Sequence, residues 1–151
     1  MDRNKNIFDK IGALIPGYVG YADRDSRRIC DQKIRKELEI DLLYTEKNMT
    51  QHIQNEKLDD KIIKLDKIRK KINTMASKIK NAPYGESSFF SDNVIDKKEL
   101  EKIYQFDLDL KHIIELVKNA VKNKKWISAS EEISLLRDKI EERNQFIRRF
   151  S

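Results

Sequence analysis

A chain of 151 residues is long enough to bury one ordinary core, and its equal apolar and charged shares of 38% suit amphipathic helices that leave most of their circumference in water. The single cysteine, Cys30, excludes an internal disulfide framework. A formal net charge of +6 leaves polyanionic partners open, while the regular recurrence of Ile and Leu argues against disorder.

Residues Asn6 to Leu14 read as a short amphipathic helix, with Ile7, Phe8, Ile11, Leu14 and Ile15 toward one side. Pro16 disfavours helix in the residue before it, so the helix stops there. The first turn-rich break follows in Ile15-Pro16-Gly17-Tyr18-Val19-Gly20-Tyr21, with the two tyrosines as anchors. Asp9, Lys10 and Gly12 interrupt the apolar run that a signal peptide would need, and no run approaches the roughly 20 residues of a membrane span. A cytoplasmic protein is the expectation, which the lone thiol also fits.

A long helix is expected from Asp23, a suitable N-cap. Its stripe is Cys30, Ile34, Leu38, Leu42, Met49 and Ile53, with Thr45 filling one turn. Gln54-Asn55-Glu56 falls in a five-residue gap before Leu58 and reads as a tight turn; one uninterrupted helix to Lys80 is the alternative. In the next helix Leu58, Leu65, Ile72 and Ile79 lie seven apart, with Ile68 and Met75 in the second core position. Lys57, Lys64, Lys71 and Lys78 repeat at the same interval in a flanking position. From Lys57 to Lys80 there are nine Lys or Arg against three Asp, a net of +6, so the rest of the chain sums to zero.

The second break is Pro83-Tyr84-Gly85-Glu86-Ser87-Ser88-Phe89-Phe90. Asp96 with Glu99 then forms a capping box for a helix carrying Leu100, Ile103, Phe106, Leu110, Ile113, Ile114, Val117, Ala120 and Val121. Ser128 with Glu131 repeats the box for a last helix bearing Ile133, Leu136, Ile140, Ile147 and Phe150, and Trp126 is placed to seal that end. The fold expected is all-α: antiparallel hairpins, Asp23 to Lys80 and Asp96 to Phe150, forming a four-helix bundle or an elongated variant. Residues 1–21 are read as an N-terminal helix and aromatic turn, and 22–151 as a single bundle domain. The aromatic breaks should meet at one end, where Phe90→Ala would cost about 3–5 kcal/mol as a core truncation.

Chemistry is sparsely signalled. Asp107 and Asp109 stand amid the apolar face of their helix; a carboxylate there can be an acid or metal ligand, but more often pairs with an arginine, for which Arg27, Arg28 and Arg35 are candidates. His52 and His112 have no second ligand at metal spacing. Cys30 on a helix stripe reads as core. No P-loop, dinucleotide fingerprint, nucleophile elbow or zinc-protease motif occurs, so no catalytic residue, metal, cofactor or small-molecule substrate is expected. The lysine stripe suits phosphate binding, yet lysines flanking a heptad core commonly lay their stems along the neighbouring helix. Lys118, Lys122, Lys124 and Lys125 complement a helix C-terminus.

Three stretches carry a likeness: Ile15-Pro16-Gly17-Tyr18-Val19-Gly20-Tyr21 with Arg27-Arg28 and Asp31, then Tyr84-Gly85 with Phe89-Phe90, then Leu100 to Leu110 around Tyr104. In them the chain resembles a family of small, uncharacterised bacterial all-helical proteins. Glu86-Ser87-Ser88 stands where that family has a further aromatic-glycine step. The resemblance implies helical hairpins and brings no activity.

The function expected is a non-enzymatic interaction protein that presents a helical face or its aromatic end to a protein partner, itself included. Phe8, Ile11, Tyr18, Tyr21, Tyr84, Phe89 and Phe90 are the candidate contacts. Nucleic-acid binding through Lys57 to Lys80 and membrane-surface contact through residues 1–15 are the alternatives. For that first helix, packing onto its own bundle ranks first, then partner docking, then membrane.

Overall fold

A computed structural model describes residues 6–57, 60–81 and 94–150. Among them are five helices and no strand: α1 (Ile7–Leu14), α2 (Arg24–Gln54), α3 (Asp60–Lys80), α4 (Lys97–Lys122) and α5 (Trp126–Arg148). None is long and apolar enough to cross a membrane. Leu58 and the second break, with Tyr84, Phe89, Phe90 and the expected effect of Phe90→Ala, lie outside the described residues.

The helices begin and end for local reasons. Asn6 caps α1 by accepting from the Asp9 N–H at 2.9 Å, and Pro16 forbids its continuation. Tyr18 N–H then bonds Ile15 C=O at 3.2 Å across Pro16-Gly17, with Gly17 at φ +83°: a type II turn, whose third residue must take a left-handed φ. Asp23 caps α2, and Asp96 with Glu99 makes the reciprocal capping box of α4. The break at Asn55 is real, so α2 and α3 form a hairpin, tied by Arg69 and Asn73 to Glu46 at 3.1 and 3.0 Å.

The last helix departs from expectation. Lys124 adopts φ 56°, Lys124 N–H bonds Val121 C=O and Lys125 N–H bonds Ala120 C=O, so α4 closes in a Schellman turn. That closure uses only three residues and lets α5 start at Trp126, with Lys125 as an N-cap that makes no side-chain bond. Ser128 therefore sits inside the first turn and caps nothing.

In cross-section α2 packs on α3 and α4, α5 packs on α3 and α4, and α1 lies on α4. The hairpins are antiparallel, whereas α2 and α4 run parallel: Asp31 is level with Asp107 through Arg143, and farther along both helices Asp41 is level with Lys111 and Lys118. Both starts, with the entry loop 15–23, lie at one end; Trp126 meets the His52 ring edge-on at the other. Among the described residues the apolar stripes read from the sequence are buried, apart from half-buried Ile7, Phe8, Ile53 and Leu100 and exposed Leu14.

Ile11 and Ile15 are fully buried in the same core, and α1 lies against α4. The helix is thus packed on its own bundle, and the Phe8, Ile11, Tyr18 and Tyr21 side chains are spent on internal contacts; they are not an exposed docking surface. Three tyrosines and Phe8 form one cluster, with centroids 5.6–6.3 Å apart. Ile11→Ala should therefore lower stability by about 2–5 kcal/mol, the cost of an aliphatic core truncation. Denaturant unfolding followed by circular dichroism measures it, and an unchanged midpoint would mean that α1 does not pack as described.

Candidate functional site

The buried polar side chains concentrate at one level of the bundle. Asp107, fully buried on α4, accepts from Tyr18 Oη at 2.7 Å, Tyr21 Oη at 2.6 Å and Arg143 Nε at 2.8 Å. A terminal nitrogen of Arg143 also donates to Tyr21 Oη at 3.0 Å and to Asp31 Oδ1 at 2.9 Å. Arg35 Nε lies 3.0 Å from Asp31 Oδ2, one turn along α2. Two carboxylates and two guanidinium groups share this interior, so its net charge is zero.

The cation facing Asp107 is thus Arg143 and not the expected Arg27, Arg28 or Arg35. Arg27 belongs to the first turn of α2 and donates to the Tyr21 carbonyl at 2.9 Å, holding the entry loop. Arg28 lies on the exposed side of α2, and Arg35 serves Asp31. Arg143 occupies the place in the α5 stripe midway between Ile140 and Ile147, where another aliphatic residue would continue the core. That vacancy in the apolar periodicity, filled by arginine, was the available signal.

The loop that brings the two tyrosines to Asp107 is held from both sides. Tyr104 Oη accepts from the Tyr21 N–H at 3.1 Å, and Ser26 Oγ donates to the Gly20 carbonyl at 3.1 Å. Gly20 is at φ +80°, and a Cβ there would come within 2.8 Å of the Phe8 ring and of Tyr104 Oη. Only glycine fits.

Electrostatically the cluster is locked. Burial, reinforced by the Asp107 charge, raises the phenols of Tyr18 and Tyr21 far above their usual value. Burial alone would lower Arg143, but Asp107, Tyr21 and Asp31 outweigh it and hold the guanidinium well above its usual value. Burial, with Asp107, pushes the Cys30 thiol up to about 11, so it is no thiolate nucleophile at neutral pH. The void beside Arg35 and Arg143 is about 20 Å³, room for about one water. Acid–base chemistry needs a substrate within hydrogen-bond reach, and this site has no space for one. It is a fastening.

Asp109 lies at the edge, accepting from Gln105 at 2.7 Å with Lys139 at 3.8 Å. Among the described residues no three His, Cys, Asp or Glu side chains are placed to hold a metal ion. Lys118, expected to complement the α4 dipole, instead reaches Asp41 and Glu115, both at 3.3 Å.

The open feature is the seam between α3 and α5. Three connected hollows run along it, of about 380, 280 and 650 Å³, sharing Lys71, Thr74, Lys78 and Arg137 as common walls. Lys64, Lys71 and Lys78 line its α3 side, their heptad spacing keeping all three in one row. Lys57 precedes α3 and lies in the turn. All four are exposed, and among the described residues none has a carboxylate partner. The α5 side carries Glu131, Asp138 and Glu141. No protein-family model, curated protein or solved structure matches the chain.

Asp107→Ala should destabilise by about 3–5 kcal/mol, because it strands a buried guanidinium, and adding Arg143→Met should restore part of that loss by removing the stranded charge. A double-mutant cycle by denaturant unfolding checks this; additive losses would contradict the coupling.

The tyrosines set an alkaline limit. The unfolded chain releases phenol protons above pH of about 10, whereas the folded chain keeps those of Tyr18 and Tyr21. Their contribution is therefore intact below that pH and is lost as pH rises beyond it. Phenolate absorbance from these two residues should emerge only together with loss of helical circular dichroism, and Tyr18→Phe or Tyr21→Phe should shrink that joint step. Smooth ionisation of both with the helices intact would refute it.

Proposed function

We propose that the protein is a non-enzymatic helical interaction protein of the cytoplasm that binds a charged protein segment along the α3–α5 seam. Its likeness in motif to small bacterial helical proteins belongs to the same reading. One observation carries it: Lys64, Lys71 and Lys78 form an exposed row with no carboxylate partner among the described residues on a grooved face, while the buried charges Asp31, Arg35, Asp107, Lys111 and Arg143 are paired. An ammonium row spaced at the heptad interval is complementary to a helix with carboxylates at that same interval.

Nucleic acid is the less suited partner. Glu131, Asp138 and Glu141 stand on the opposite rim, where they would repel a continuous phosphate chain. A protein helix can turn acidic side chains to one rim and basic ones to the other.

The test uses a labelled amphipathic peptide with Glu at heptad spacing on one flank and Lys on the other, with an oligothymidylate of equal length as comparison. The peptide should bind with an affinity that falls as salt rises, and Lys64→Ser/Lys71→Ser/Lys78→Ser should weaken it by about tenfold or more, as for loss of several interface charges. Tighter binding of the oligothymidylate would transfer the groove to nucleic acid, and no binding of either would end this reading.

A further inference from the structure

We propose that the partner of the α3–α5 seam is a second copy of the chain, paired side by side with its helices parallel to those of the first. The inference rests on the groove reading above and names the occupant.

The α3 rim carries lysines, and the α5 rim carries three carboxylates around one cation, Arg137, which lies 3.8 Å from Asp138. Glu131 borders the same stretch of groove as Lys67 and Lys71, and Asp138 and Glu141 border the same stretch as Lys78. Within one copy these rims do not close on each other: among the described residues no ion pair spans them, Glu131 and the lysines have no partner, and Asp138 and Glu141 meet only neighbours on α5 itself, Arg137 at 3.8 Å for the first and Gln145 and Arg148 at 3.4 and 3.9 Å for the second. Because α3 and α5 run parallel, a two-fold axis along the helices lays α3 of one copy over α5 of the other without changing the heights. Lys67 and Lys71 then face Glu131 of the second copy, and Lys78 faces Asp138 and Glu141 of the second copy. The symmetry makes every such contact twice.

The alternative two-fold axis, across the helices, lays α3 on α3 and brings lysine onto lysine. Like charges directly opposed are costly, so the sign pattern selects the parallel arrangement. Ile127, 79% exposed beside Trp126, supplies an apolar contact at one end. Residues 64–80 of α3 span roughly 26 Å, and two helices are roughly 20 Å wide, which gives roughly 500 Å² per copy. That lies at the low end for specific interfaces, so the pair is weak and sensitive to salt.

Sedimentation equilibrium on the full chain tests this. The wild type should dimerise at low salt and dissociate as salt rises. Glu131→Lys/Asp138→Lys and Lys71→Glu/Lys78→Glu should each be monomeric, with association weakened by about tenfold or more. Every one of these positions is exposed, so circular dichroism should not change. Mixing the two variants should restore a species of twice the mass, since each altered rim then meets its complement. A wild type that stays monomeric at low salt, or a mixture that stays monomeric, overturns the proposal. A monomer that still binds the heptad peptide keeps the groove reading and rejects only self-pairing. A monomer that binds neither peptide nor oligothymidylate rejects both, and one that binds oligothymidylate alone assigns the seam to nucleic acid.

Discussion

Arg143 is the residue on which the packing depends. It leaves α5 and reaches Asp107 on α4 and Asp31 on α2, and it also donates to the hydroxyl of Tyr21 in the entry loop. Three helices and the entry loop are thereby held at one level. Such a group is not chosen for strength, since desolvating a guanidinium and two carboxylates offsets most of their attraction, and apolar replacements of the same volume often do as well. What it supplies is discrimination. Sliding α5 by one turn would put an aliphatic side chain against Asp107 and carry the guanidinium away from both carboxylates, whereas an all-aliphatic seam would tolerate the slip.

The entry loop exists to complete this arrangement. Asp107 has more acceptor capacity than one arginine uses, and two phenol hydroxyls take up the remainder. Delivering both from residues three apart requires a tight path, and that path fixes the glycines. Gly17 turns the chain after Pro16, and Gly20 lets it pass between the Phe8 ring and Tyr104 Oη. The burial of α1 follows from the same geometry, since Phe8 and Ile11 roof the tyrosines that the loop has placed.

The helices were legible because their apolar spacing is long and regular, and the caps at Asp23 and Asp96 because side-chain capping is local chemistry. The start of α5 was not. A Schellman turn is defined by backbone conformation, and Lys124 at φ 56° carries none of the glycine signal that usually announces it. For the buried cluster the sequence showed half: Asp107 stood out as a charge on an apolar face, but its cation was sought among the arginines of α2, at Arg27, Arg28 and Arg35. Arg143 lies 36 residues on. A charged side chain filling a core slot in a stripe reads as a gap until its partner is known. The packing of α1 against α4 is likewise invisible to a pattern that reports only that one side of α1 is apolar.

The two parallel seams of the bundle show what the lysine row means. Between α2 and α4 the flanking charges close: Lys111 sits 2.6 Å from Asp41 and 3.4 Å from Glu115, and Lys118 reaches the same two carboxylates. Between α3 and α5 the geometry is similar and the outcome opposite. On α5, Ser130, Ser134 and Arg137 share the hollows with the lysines and offer no anion, and Glu131, Asp138 and Glu141 pair with none of those lysines. The α5 carboxylates of this rim, Glu131, Asp138 and Glu141, are exposed. Both signs of charge thus stay exposed on one face, and a face that keeps complementary charges from meeting internally is suited to meeting them in another molecule.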